Sequence, residues 1–266
     1  MAEKEEAAAP APAPAFLRNR YWVLRHGKSI PNEKGIIVSS MENGIRPEYQ
    51  LAEEGVIQAQ LAGELLLKVT YFSFSIGFLL IAIRLCWGTC KIVWCMQELK
   101  ENGIPLDSVR ICYSPFARTS HTARVAASAL SIPFEGPQCK VIEDLRERYF
   151  GPSFELKSHD KYAEIWALDE KDPFAQPEGG ESVNDVATRL STVISKLELE
   201  FERCAILVVS HGDPLQILQT VLQAAKQEGP TGSEDVVSRL QAVRIPSVLS
   251  QHRKFALLTG ELRGVV

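Results

Sequence analysis

Residues 21–32 read YWVLRHGKSIPN, an apolar run that ends in an abrupt cluster of charge. Tyr21, Trp22, Val23 and Leu24 have the apolar, aromatic-rich character of a short buried strand. Arg25 and His26 follow with no spacer, and Gly27 lets the chain turn away. Residues 205–214, AILVVSHGDP, repeat the arrangement: an apolar run, then His211, then Gly212. Two strands that each deliver a histidine followed by a glycine point to one site built from two strand ends.

Three further runs read as strands: Val109 to Tyr113, Cys139 to Ile142 and Phe255 to Thr259. Between the strands lie helical patterns at Leu51–Lys68, Ala117–Leu130, Lys161–Ala167, Ser182–Phe201 and Pro214–Lys226. Strands alternating with helices predict an α/β three-layer sandwich, a mostly parallel central sheet with helices on both faces. AILVVS is apolar at every position but the last, as a central parallel strand buried on both sides must be. Sites in such sheets form at the carboxyl ends of the strands. Both histidines fall there.

A net charge of -4 excludes the basic surplus of a nucleic-acid partner, so any anion site must be a local concentration of positive charge. The first 15 residues, MAEKEEAAAPAPAPA, alternate Ala with Pro and are expected to form a disordered tail ahead of a single domain, 16–266. Six cysteines without framework spacing, and no secretory leader, predict a cytoplasmic location.

Residues 69–97, VTYFSFSIGFLLIAIRLCWGTCKIVWCMQ, interrupt the domain. Arg84 and Lys91 divide the run into pieces shorter than the roughly 20 apolar residues of a membrane span. Deleting the segment joins two halves of a helical pattern that stops at Asn102 and Gly103. Valine codons begin with GT and glutamine can be CAG, so Val69 and Gln97 suit the two ends of a retained intron that keeps the frame. A membrane partner is expected only if this segment is a true part of the protein.

The charged motifs run in order. RHGKSIPN supplies Arg25, His26, Ser29 and Asn32, and YSPFARTSHTA supplies Ser114 and Arg118 at the start of a helix, whose amide dipole favours anions. EDLRERYFG supplies Glu147 and Arg148, PEGGESVNDVATR opens another helix, and SHGDP supplies His211. This ordered set resembles the histidine phosphatase superfamily, which includes cofactor-dependent phosphoglycerate mutase, from about residue 20 to 215. The resemblance implies His26 as a nucleophile that accepts a phosphoryl group, and Glu147 as acid and then base. It makes His211 the third catalytic residue, Arg25, Arg118, Asn32 and Ser29 the phosphate cradle, and Arg148 a substrate contact. The residue types fit, because a neutral imidazole is nucleophilic and transferred phosphoryl groups need mainly positioning and cationic donors.

The implied reaction is hydrolysis of a small phosphomonoester with no metal and no cofactor. Mutases of the family clamp the substrate carboxylate with arginines between the acid motif and GGES. Here that region holds only Lys157, Lys161 and Lys171, and HGDPLQ lacks a following arginine. The alternatives are a phosphoglycerate-type mutase and a non-catalytic binding module. The aromatic residues Phe154, Tyr162, Trp166 and Phe174 could form a lid over an organic group. Glu143, Asp144 and Glu155 compete with Glu147 for the acid's role. His121, His159 and His252 match no catalytic position, and Asp160, Glu164 and Asp169 with His159 fit no metal-ligand spacing. Nothing in the sequence signals an oligomeric state.

Overall fold

The computed structural model describes residues 16–71, 105–227 and 235–265. The Ala/Pro tail and, apart from the helix backbone of Val69–Tyr71, the segment 69–97 lie outside the described residues, and so do the readings made of them.

Five strands form one sheet: β1 (Arg20–Arg25), β2 (Val109–Tyr113), β3 (Cys139–Val141), β4 (Ala205–Ser210) and β5 (Leu262–Gly264), in the order β3-β2-β4-β1-β5. All neighbours are parallel except β5, which pairs antiparallel with β1. The helices of the described residues are α1 (Ile30–Lys34), α2 (Met41–Gly44), α3 (Glu53–Tyr71), α4 (Ala117–Ala129), α5 (Tyr162–Lys171), α6 (Val183–Glu200), α7 (Gly212–Gln227), α8 (Val236–Ala242) and α9 (Pro246–Leu249).

Alternation along each central strand explains the layers. Tyr21 and Val23 of β1, with Ile206 and Val208 of β4, point to one face and pack with Val186, Leu190 and Ile194 of α6 and with Leu218 and Val221 of α7. Trp22 and Leu24, with Leu207 and Val209, point to the other face and meet Ala62 and Leu66 of α3 and Ala123, Ala126 and Ala127 of α4. Successive side chains of a strand face opposite ways, so a centre buried on both sides must be apolar throughout. The sandwich expected from the sequence is the one observed.

The fifth strand is a correction. Phe255 closes a short 3-10 turn instead of opening a strand, and Leu258 is 77% exposed. The chain turns at Gly260 (φ +70) and only then forms β5, a three-residue edge strand whose residues are all half-buried. An edge strand with no fully buried face gives little hydrophobic signal. The helices sit close to their expected ranges, whereas α1, α2, α8 and α9 are too short to show a helical period in the sequence.

The loop after β1 is held by close backbone contact with the start of α3. A Cβ on Gly55 would stand 2.0 Å from the Lys28 carbonyl oxygen, and one on Gly27 would stand 2.2 Å from the Gly55 carbonyl oxygen. Gly55→Ala is therefore expected to destabilise the protein by about 1–3 kcal/mol, the usual cost of forced overpacking, and to lower activity by displacing the Arg25-His26 loop. Thermal denaturation alongside turnover checks this. Wild-type values for both would show that the contact does not fix the loop.

Candidate active site

Parallel register brings the two histidines together. Arg25 lies opposite Ser210 and Tyr113 opposite Val209, so the residues that follow, His26, His211 and Ser114, emerge side by side at the carboxyl ends of β1, β4 and β2. The His26 amide donates to the Ser210 carbonyl at 3.0 Å, and the imidazole centroids are 5.3 Å apart, edge to face. Both rings are buried.

His26 has a defined tautomer. Its Nδ1 lies 2.8 Å from the Gly27 carbonyl oxygen, which can only accept, so Nδ1 carries the proton. Nε2 is left with its lone pair, which faces Nε of Arg118 at 3.2 Å. Burial, then the charges of Arg118 and Arg25, hold the imidazole well below its ordinary range. It is neutral at physiological pH, with a free electron pair aimed at a guanidinium cluster. His211 is likewise held low by burial and by Arg118, and its Nε2 lies 2.9 Å from Oγ of Ser114.

Arg118, in the first turn of α4, sits at the centre. One Nη donates to the Val38 carbonyl at 2.9 Å and lies 3.6 Å from Glu147 Oε2, whereas the buried Nη1 has no partner among the described residues. Arg25 is anchored by a 2.7 Å bond from Nη1 to the Leu257 carbonyl, and its buried Nε is also without a partner among the described residues. Two cations with unsatisfied buried donors form a cradle for an anion, since such donors cost free energy until something accepts from them.

Glu147 closes the third side. Its carboxylate accepts from the Arg148 amide at 3.0 Å and lies 3.7 Å from Nδ1 of His211. Burial pushes its carboxyl up to about 7 against the pull of Arg118, and the charge of Asp213 adds to the rise. A carboxyl that titrates near neutrality can both give and take a proton. The competing Glu155 is engaged elsewhere. It accepts from the amides and hydroxyls of Ser39 and Ser40 and from Asn43, which together outweigh burial and keep it ionised.

Residues 94–234, more than half of the chain, match the family described as the histidine phosphatase superfamily (branch 1). The chain belongs to the histidine phosphatase superfamily. It is an enzyme of the histidine phosphatase type. The match begins downstream of Arg25 and His26, which the fold returns to the site through the β1–β4 pairing. Among solved structures, a mycobacterial glucosyl-3-phosphoglycerate phosphatase in complex with VO3 is 18% identical, with a TM-score of 0.58 over 91% of this chain and 88% of that one. The alpha-ribazole phosphatase from Shigella flexneri is 22% identical, with a TM-score of 0.52 over 91% and 88% of the two chains. At these identities the likeness establishes the fold. No curated protein sequence matches.

Two expectations for this histidine phosphatase need correcting. Ser29 is fully buried and caps α1: its hydroxyl and amide both bond the Asn32 side-chain oxygen, a capping box that leaves the hydroxyl nothing to offer a phosphate. Asn32 stays half-buried. Arg148 is entirely buried rather than open to a substrate. It grips Asp169 with two bonds of 2.6 and 2.7 Å, reaches Asp213 at 3.1 Å and bonds the Glu181 carbonyl through Nε. Its guanidinium is fixed behind the site.

The superfamily member also carries positioning residues that sequence reasoning missed. Arg189 of α6 bonds the carbonyls of Asp144 and Glu147 and pairs with Glu181, which in turn accepts from the Tyr149 amide. Ser210 Oγ pins the Leu145 carbonyl at 2.7 Å. These bonds hold Glu147 in place without touching the cradle. Of the aromatic residues expected to form a lid, Tyr162 is half-buried against Phe150 and stacks on Trp166, which carries Arg253 at 3.6 Å, whereas Trp166 and Phe174 are both exposed.

Proposed function

We propose that the protein hydrolyses a small phosphomonoester without a metal, through a phosphohistidine at His26. The observation that carries the reading is the neutral His26 Nε2 in a cationic cradle beside a carboxyl titrating near 7. Nε2 attacks phosphorus in line, and the ester P–O bond breaks as the departing oxygen takes the Glu147 proton. The phosphorylated ring is cationic, and its Nδ1–H bond to the Gly27 carbonyl stabilises that charge. Arg25, Arg118 and His211 hold the three equatorial oxygens, with Asn32 as a neutral donor. Water then attacks, gives its proton to the Glu147 carboxylate, and the P–N bond breaks to restore neutral His26.

Hydrolysis is favoured over mutase chemistry because Lys157, Lys161 and Lys171 are all exposed, and Lys161 is paired with Glu164. They form no clamp for a substrate carboxylate. Tyr162 and Trp166 give the organic group of the substrate an aromatic wall. A cytoplasmic setting is supported by Cys112, Cys139 and Cys204, which are unbridged among the described residues. No helix among the described residues is long and apolar enough to cross a membrane.

Turnover of p-nitrophenyl phosphate with and without a chelator tests the reading. Undiminished activity with the chelator and strong inhibition by vanadate, which copies five-coordinate phosphorus, are expected. Activity lost to the chelator and regained with a divalent cation would overturn it.

The pH dependence follows from the same groups. Phosphorylation of His26 by an alkyl phosphate needs neutral His26 and protonated Glu147. His26 is neutral down to well below its ordinary range, so kcat/KM should stay flat on the acid side and fall above about pH 7 as Glu147 ionises. A flat profile to pH 9 would remove Glu147 as the acid.

A further inference from the structure

Behind Glu147, on the far side of Arg148, lies a second buried cluster that the reaction does not use. Asp169 of α5, Asp213 of α7 and His252 bring one ligand atom each within 4.8 Å of one another. Asp169 and His252 are almost wholly buried, and Asp213 nearly so. His252 Nδ1 lies 2.9 Å from the Leu249 carbonyl oxygen. Its Nε2 points between Asp213 Oδ1 at 3.7 Å and Asp169 Oδ2 at 3.9 Å and has no hydrogen-bond partner among the described residues.

Neither neutral tautomer suits these surroundings. With the proton on Nδ1, the Nε2 lone pair faces two carboxylates. With the proton on Nε2, the Nδ1 lone pair faces a carbonyl oxygen. Only the imidazolium presents a hydrogen to each acceptor. The charge balance agrees: Arg148 alone leaves two buried carboxylates short of one positive charge, and an uncompensated buried charge is strongly unfavourable. A divalent cation would overshoot, and it would claim the Asp169 oxygen that Arg148 already holds at 2.6 Å.

We propose that His252 is an imidazolium that completes a neutral quartet with Arg148, Asp169 and Asp213, and is thereby a positioning residue that governs the ionisation of Glu147 through Asp213. Asp213 is the link. It stands two residues after His211, bridges Arg148 with one oxygen and His252 with the other, and its negative charge favours the protonated form of Glu147. The ionisable groups set around the ring are Asp169, Asp213 and Arg148. Arg253, next in the chain, turns away onto Trp166. The tuning half of the proposal rests on Glu147 being the acid of the proposed function.

The test uses the full chain, with two variants and a direct probe. His252→Gln removes a positive charge from the quartet, so the basic limb of kcat/KM for an alkyl phosphate should move up by about half to one pH unit. Asp213→Asn removes a negative charge, so the same limb should move down by a similar amount. Shifts of this size are those of a unit charge felt across a medium of effective dielectric about 20. Opposite shifts are the signature, because mere structural damage has no reason to move the limb in two directions. Nitrogen-15 NMR of the wild-type ring should show both nitrogens protonated at pH 7, a readout independent of activity. A ring protonated on one nitrogen only, an unmoved limb in both variants, or a tightly bound metal at the cluster would each overturn the proposal. A basic limb that survives Glu147→Gln would instead indict the acid assignment.

Discussion

His26→Ala is expected to lower phosphatase turnover by at least about a thousandfold and to abolish the phosphoenzyme with it, since loss of a covalent nucleophile costs several powers of ten. Among the described residues no other group is placed to replace it. His211 is the nearest imidazole, but its Nε2 is bonded to Ser114 and its Nδ1 faces Glu147. The variant should still fold: the ring is one buried group among many on the β1 side, and circular dichroism with thermal denaturation checks this. Rapid-quench assays on p-nitrophenyl phosphate read both effects. Activity within about tenfold of wild type would move the nucleophile away from His26.

Glu147→Gln should slow catalysis in proportion to the basicity of the leaving group. General acid catalysis is worth roughly a hundred- to ten-thousandfold, and an alkyl phosphate should lose much of that factor. p-Nitrophenyl phosphate, whose leaving group is already stable as an anion, should lose far less in phosphoenzyme formation. Pre-steady-state bursts with both substrates separate this step from hydrolysis, where the same carboxylate serves as base. Equal losses would reduce Glu147 to a shaping role.

The same substitution should stabilise the protein at alkaline pH. The folded carboxyl is raised from 4.5 to about 7, so the native state holds its proton to higher pH than the unfolded chain does. Stability is therefore lost as pH rises from about 4.5 to about 7, by about 3 kcal/mol in all. Glutamine cannot ionise and escapes this loss. Glu147→Gln should have the higher Tm at pH 8, and the difference should shrink towards pH 5. A functional carboxyl kept against its own ionisation is a recurring cost of active sites.

The parts of the site that were legible in the sequence are those whose signal is local. An apolar run followed by Arg-His-Gly or by His-Gly needs only the parallel register of β1 and β4 to become a pair of imidazoles 5.3 Å apart. Arg148 shows the limit. It is adjacent to Glu147 in sequence, yet its direction is set by Asp169 and Asp213, on helices α5 and α7, and no spacing rule links those three residues. Arg189 and His252 were hidden for the same reason. Ser29 is different, because its function could have been read: Ser29-Ile30-Pro31-Asn32 is a helix-start pattern, with proline in the first turn and a capping side chain three residues on. Residues 255–258 are apolar enough to read as a strand, but the turn at Gly260 delays β5 to Leu262.

The central claim is that His26 Nε2 carries the phosphoryl group between substrate and water. The most direct measurement is to quench the full-length protein during turnover of p-nitrophenyl phosphate, digest it at alkaline pH and locate the phosphate by mass spectrometry, with nitrogen assignment by NMR. The account predicts an acid-labile, alkali-stable phosphoryl group on Nε2 of His26, formed at least as fast as steady-state turnover. A phosphoryl group on His211 or on any serine, or full turnover with no covalent species formed at a competent rate, would contradict it.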